Sequence, residues 1–230
     1  MLEFYFNLYG VKLMSKHSDL IDNPSPRCPC LLVLDTSGSM DGEPIQQLNR
    51  GVQEFIQALQ TDEVAACSVE VAILAAGGHV EEILPFTTVM NLDYNSTFYA
   101  NGMTPLGLAV NKGLEMLEER KAEYQHNGVA YYQPWLVVIS DGSPTDSWEE
   151  AANKSKNLSE NRKLVALMVG VNDADMDTLS KFSSRPALKL DGLKFSDFFQ
   201  WLSASMSRVS SSASTSSSIN LPPVDGWASI

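Results

Sequence analysis

The feature that most limits how this chain can fold is the stretch from Cys30 to Glu43, where the apolar run Leu31-Leu32-Val33-Leu34 stops abruptly on Asp35. A short uninterrupted apolar run bounded by turn residues fits a strand buried on both faces, as in a parallel sheet. Thr36-Ser37-Gly38-Ser39 follows, small and hydroxyl-rich, with a glycine where the backbone turns tightly. Past it, Pro44 opens a segment with Ile45, Leu48, Val52, Phe55, Ile56 and Leu59 at the spacing of an amphipathic helix. Asp35, Ser37 and Ser39 therefore fall in a loop at the carboxyl end of a predicted central strand, where open α/β sheets place their ligands. One carboxylate and two hydroxyls are hard oxygen donors, which suit Mg2+ or Mn2+ better than zinc or copper. The same residue types cap helices and fill turns, so this stretch alone leaves both readings open.

The remainder of the chain repeats the pattern. Val64 to Ala75 reads as a strand, and Gly77-Gly78 joins it to a second, His79 to Phe86, as a hairpin whose outer strand is an antiparallel edge. Glu81 and Glu82 belong on its solvated face. Gly102-Met103-Thr104-Pro105 then precedes helical spacing at Leu106, Ala109, Val110, Gly113, Leu114 and Leu117, closing on the charged run Glu118 to Lys121. Trp135 to Ser140 is a second buried strand that also ends on an acid, Asp141. Asp146 or Ser147 is the expected cap of a helix running through Trp148 to about Asn161. A strand (Leu164 to Val169), a helix (Met176 to Phe182), a short strand (Ala187 to Leu190) and a last helix (Phe195 to about Met206) complete the alternation. The expected fold class is α/β: a doubly wound, Rossmann-like, mostly parallel sheet with one antiparallel edge strand and helices on both faces. The expected organisation is a lead-in over 1–27, one domain over 28–206, a serine-rich flexible linker over 207–220 and a Pro/Trp segment over 221–230. In that last segment Trp227 reads as a plug for this domain or for a partner.

Acids outnumber bases 28 to 16, a formal net charge of −12, so nucleic acid and anionic membrane surfaces are repelled. A divalent cation or a protein partner fits better. The three cysteines form no disulfide framework, and Cys28-Pro29-Cys30 has no second Cys/His pair to complete a zinc site. No basic leader followed by an apolar core opens the chain and no run reaches membrane-span length, which points to the cytoplasm. Residues 1–13 are aromatic and apolar, and Met14-Ser15-Lys16 reads like an alternative translation start.

Three loops thus carry oxygen donors at one end of the expected sheet: Asp35/Ser37/Ser39, Thr104 and Asp141. In order, spacing class and context they resemble the metal-ion-dependent adhesion site of von Willebrand factor A domains, over roughly residues 28 to 206. Pro26-Arg27-Cys28-Pro29-Cys30, Ala130-Tyr131-Tyr132-Gln133-Pro134-Trp135, the Asp141 to Asp146 stretch and the Leu221 to Trp227 ending look, more narrowly, like the bacterial TerY-type proteins. That resemblance implies a setting of tellurium-resistance and stress clusters, beside a serine/threonine kinase and a protein phosphatase. It also implies a Mg2+ or Mn2+ ion held by Asp35, Ser37, Ser39, Thr104 and Asp141, with one position left for an Asp or Glu of a protein partner. Mg2+ takes oxygen ligands octahedrally at about 2.0–2.1 Å, so a foreign carboxylate can replace a water. Asp41, Glu43, Asp93 and Asp146 are expected as solvated loop and cap residues or as an acidic rim to the same site.

The expected function is metal-dependent protein binding without catalysis. A phosphotransferase or phosphatase using Asp35 would want a second acid two residues on, where Ser37 stands, and no Gly-x-Ser-x-Gly elbow or phosphate-binding loop is present. Two further readings are a regulatory substrate phosphorylated on its serine-rich tail and an adaptor for an AAA-type chaperone.

Overall fold

The computed structural model describes residues 20, 23–141, 144–216, 219–224 and 227–229. Residues 1–19, and with them the alternative start, lie outside that set. The strands are β1 (Cys28–Asp35), β2 (Val69–Gly77), β3 (His79–Thr88), β4 (Trp135–Ser140), β5 (Val165–Gly170), β6 (Leu188–Leu190) and β7 (Ala228–Ser229), in sheet order β3-β2-β1-β4-β5-β6-β7. β2, β1, β4, β5 and β6 run parallel, and β3 closes one edge antiparallel as the glycine pair implied.

Alternate residues of the central strands enter two separate cores, which is why their sequences are apolar throughout. Cys28, Cys30, Leu32 and Leu34 face one core with Val137 and Ile139. Leu31 and Val33 face the other with Leu136 and Val138. The first core is roofed by α1 (Glu43–Thr61), α2 (Glu63–Ser68) and α6 (Phe195–Ser210), the second by α3 (Leu106–His126), α4 (Glu149–Glu160) and α5 (Met176–Leu179). No helix among the described residues is long and apolar enough to cross a membrane.

Several boundaries differ from expectation, each for a local reason. The run from Val64 is not strand at its start: the Asp62 carboxylate accepts from the Val64 and Ala65 amides, at 3.0 and 3.0 Å, and caps the short helix α2. α3 continues past the charged run to His126, because Glu118–Lys121 and Arg120–Glu123 pair along the helix while Arg120 and Tyr124 turn inward. α6 continues to Ser210, into the stretch expected as linker. Its serines satisfy their own hydroxyls on helix carbonyls, Ser205 to Trp201 at 2.8 Å and Ser210 to Ser207 at 3.1 Å, so a serine-rich helix can be buried.

Away from the strands' carboxyl ends, the fold is clamped by charge. Glu70 and Arg27 are fully buried, and Arg120 nearly so. The Glu70 carboxylate accepts from Arg120 Nε and Nη2, both at 2.8 Å, and from the Tyr124 hydroxyl at 2.5 Å, with Arg27 Nε at 3.2 Å. Burial alone would push the Arg120 guanidinium down, but Glu70 more than offsets this and holds the charge in place.

The C-terminal segment docks on its own domain. β7 pairs antiparallel with β6, giving the sheet a second antiparallel edge that the sequence reading did not include. Trp227 is buried with its ring centroid 5.2 Å from Phe198 and 5.4 Å from Trp201, and Trp201 Nε1 donates to the Pro222 carbonyl at 2.8 Å. Trp227→Ala is therefore expected to lower unfolding free energy by about 3–5 kcal/mol, read from urea melts of the full chain.

Candidate metal centre

β1 delivers Asp35 to the carboxyl edge of the sheet, and the ladder continues one step further as the Thr36 amide donates to Ala76 at 3.0 Å. A 3-10 turn, Gly38–Met40, then reverses the chain, anchored by the fully buried Met40, before α1 starts with Pro44 in its first turn. Asp35 is fully buried. Its Oδ1 accepts from the Ser37 amide at 2.9 Å and its Oδ2 from the Ser140 hydroxyl at 2.5 Å. The Ser37 and Ser39 hydroxyls lie 3.0 Å apart, and Ser39 donates to Asp141 Oδ1 at 2.8 Å. Four of the five expected donors thus stand in one hydrogen-bonded arc: Asp35, Ser37, Ser39 and Asp141.

Thr104 reaches the same edge through its backbone. The Gly38 amide donates to Gly102 at 2.9 Å, the Asn101 amide to Thr36 at 2.8 Å, and the Thr145 amide to Thr104 at 3.0 Å. The β2–β3 turn joins them, with the Gly78 amide donating to Met103 at 2.7 Å. Gly102 has φ of +70°, and a Cβ there would lie 2.4 Å from the Gly78 Cα, so only glycine fits.

The donor set suits a hard cation: two carboxylates and alcohol oxygens, with no thiolate or imidazole among them. Burial raises the Asp141 carboxyl, Asp35 nearby raises it further, and the Ser39 hydrogen bond works the other way. Among the described residues no Lys, Arg or His pairs with either acid. Cys28 and Cys30 lie elsewhere, inside the core, where burial pushes the Cys28 thiol up to about 12 and Cys30 well above its ordinary value.

Two residues escaped the sequence reading. Ser140 is the last residue of β4, and the register Leu34↔Ile139 sets it beside Asp35, a juxtaposition that only strand pairing reveals. Asn49 on α1 accepts from the Phe98 amide at 2.7 Å and donates to the Phe98 carbonyl at 2.9 Å, fixing the start of the loop that carries Thr104. Asp146 or Ser147 was expected to cap α4, and neither does; Asp146 acts elsewhere. Its two oxygens accept from the Gly107 and Leu108 amides at 3.0 and 2.8 Å, capping α3 from across the site, while the N-cap position of α4 is Trp148, which makes no side-chain cap bond. Asp93 accepts from Asn95, and Asp41 and Glu43 are exposed at the mouth of α1.

The von Willebrand factor type A domain model matches residues 31–201. The chain belongs to that family. Solved structures share the fold of this A domain at low identity. A von Willebrand factor type A protein from Catenulispora acidiphila superposes with a TM-score of 0.63 at 16% identity, over 80% of this chain and 43% of that one. The ArnB paralog VWA2 from Sulfolobus acidocaldarius gives 0.56 at 13%, over 78% and 45%. Proximal thread matrix protein 1 from the mussel byssus, a structure described as having a zinc-occupied MIDAS motif, gives 0.55 at 12%, over 79% and 48%. The A domain described here therefore spans less than half of each of those chains. No curated protein sequence matches this one.

Gly102→Ala should strain the left-handed backbone and drive a methyl into the β2–β3 turn. The expected cost is at least about 1–3 kcal/mol, measured by thermal or denaturant unfolding.

Proposed function

We propose that this A domain binds a protein partner through a divalent cation, with Asp35, Ser37, Ser39, Thr104 and Asp141 as the protein's share of the coordination. The observation that carries this reading is the arc from Asp35 through Ser37 and Ser39 to Asp141, built from separate loops and linked by hydrogen bonds of 2.8–3.0 Å. The mussel relative's zinc-occupied motif supports a metal at the corresponding place, and the oxygen-only donor set favours Mg2+ or Mn2+ here. When bound, the cation supplies a Lewis-acidic position that a partner's Asp or Glu can enter. The chain's own residues do the rest: Ser140 and the Ser37 amide orient Asp35, and Ser39 orients Asp141.

A binding role is favoured over turnover because the second acid that a phosphoryl-transferring Asp35 would want two residues on is absent, Ser37 standing there. A scaffold in a bacterial stress or tellurium-resistance system, beside a serine/threonine kinase and a phosphatase in the cytoplasm, rests on the TerY-like stretches of sequence alone. Tail phosphorylation by such a kinase would be confined mainly to the turn after α6, since Ser203, Ser205 and Ser210 are buried in it.

Recovery of partners from the native host on the immobilised chain, with magnesium and with chelator, tests the central claim; partners retained equally in chelator refute it. Asp35→Asn keeps the shape and the acceptor for the Ser37 amide but removes one of the site's two negative charges, and should weaken magnesium binding by about tenfold or more in calorimetry. Affinity should also fall with pH. Because the Asp141 carboxyl is raised, a proton competes with the cation starting at a higher pH than for an ordinary aspartate, and binding is pH-independent only above that value. Magnesium titrations from neutral pH into the acid range would show this slope.

A further inference from the structure

Five large apolar side chains are exposed among the described residues, and three of them, Tyr99, Met103 and Leu108, belong to the short stretch that contains Thr104. Their relative exposures are 80%, 64% and 58%. Single exposed apolar residues are ordinary, but a concentration on one loop and the first turn of the helix it leads into, beside a binding site, is not.

The loop is also held still. Asn49 clamps Phe98 by both its amide and its carbonyl, and Phe98 itself is buried. Backbone bonds from Asn101, Gly102, Met103 and Thr104 run to Thr36, Gly38, Gly78 and Thr145. Asp146 fixes the amide of Leu108. Tyr99, Met103 and Leu108 are therefore presented from a backbone that needs no ordering on association, which lowers the entropic cost of a contact. Tyrosine gives a large contact area for few rotatable bonds, and methionine adapts to varied apolar shapes.

Charge restricts what can lie against this ridge. The chain carries a formal charge of −12, and Asp41 and Glu43 are exposed at the start of α1. A multiply acidic segment would be repelled everywhere except at the cation. We infer that Tyr99, Met103 and Leu108 form an apolar ridge beside the metal centre, and that the partner is a protein segment with one Asp or Glu next to aromatic or aliphatic residues in an otherwise neutral or basic context. This rests on the metal-bridged reading above and adds to it the chemistry of the partner.

A random-peptide display library selected on the full chain in magnesium, with elution by EDTA, is the direct test. Enriched peptides should pair an acid with an apolar neighbour. A synthetic copy of the best one should bind the Tyr99→Ser/Met103→Ser double variant about tenfold or more weakly, while calorimetry shows the variant's magnesium affinity unchanged. EDTA-eluted peptides with an acid but no apolar preference, or equal affinity for the double variant, would overturn the ridge and leave the metal bridge standing. Peptides that stay bound in EDTA, or no enrichment in magnesium, would overturn both. Light scattering that finds a dimer of this chain, made monomeric by the double variant, would show that a second copy covers the ridge and would overturn the heterologous partner.

Discussion

The contact on which the functional end of this molecule depends is the hydrogen bond between the Ser140 hydroxyl and the Asp35 carboxylate, at the tips of two adjacent parallel strands. β1 and β4 are the middle of the sheet, apolar on both faces, so the first polar side chains they can expose are those past their carboxyl ends. A carboxylate placed there is desolvated by the cores beneath it and needs donors. The Ser37 amide and the Ser140 hydroxyl meet that need, and the orientation of the following loop comes from satisfying it.

Parallel order does the remaining assembly. A parallel sheet sends its strands' exits to the same edge, so the loops after β1 and β4 are brought together without being close in sequence, while the loop before α3 leaves antiparallel β3 at the opposite end and is tied back to this edge by backbone bonds. Backbone hydrogen bonds, rather than side chains, then lock the Thr104 loop to the Asp35 loop, which is why Gly102 and its close approach to Gly78 matter there. Asp146 adds one tie between loops by capping a helix that is not its own. The site consequently sits on rigid backbone, the condition under which exposed side chains such as Tyr99 and Met103 can act as a fixed surface.

The Glu70 cluster is the polar counterpart of this edge. One carboxylate gathers two guanidinium groups and a phenol in the interior, joining the chain before β1 to β2 and α3. Glu70 stands in an otherwise apolar strand, where the sequence shows only an isolated acid and no partner. Glu70 is the member the others share, so its loss would leave Arg27 without this buried carboxylate, whereas Arg120 would keep Glu123.

The sequence by itself determined which segments are buried strands, that helices alternate with them, that the hairpin at Gly77-Gly78 makes an antiparallel edge, and which loops carry oxygen donors. Those follow from periodicity and turn chemistry, which are local. It misjudged the start of β2, the ends of α3 and α6, and the cap of α4, because at each place the decision lay with a partner distant in the fold or with side chains bonding back to their own helix. The tertiary structure alone decided that Ser140 holds Asp35, that Asn49 and Asp146 fix the Thr104 loop, and that the C-terminal segment closes the sheet's far edge as β7, with Trp227 seated on Phe198 and Trp201. Such pairings join residues far apart in the chain, and no local pattern encodes them; they exist only once the strands have chosen their neighbours.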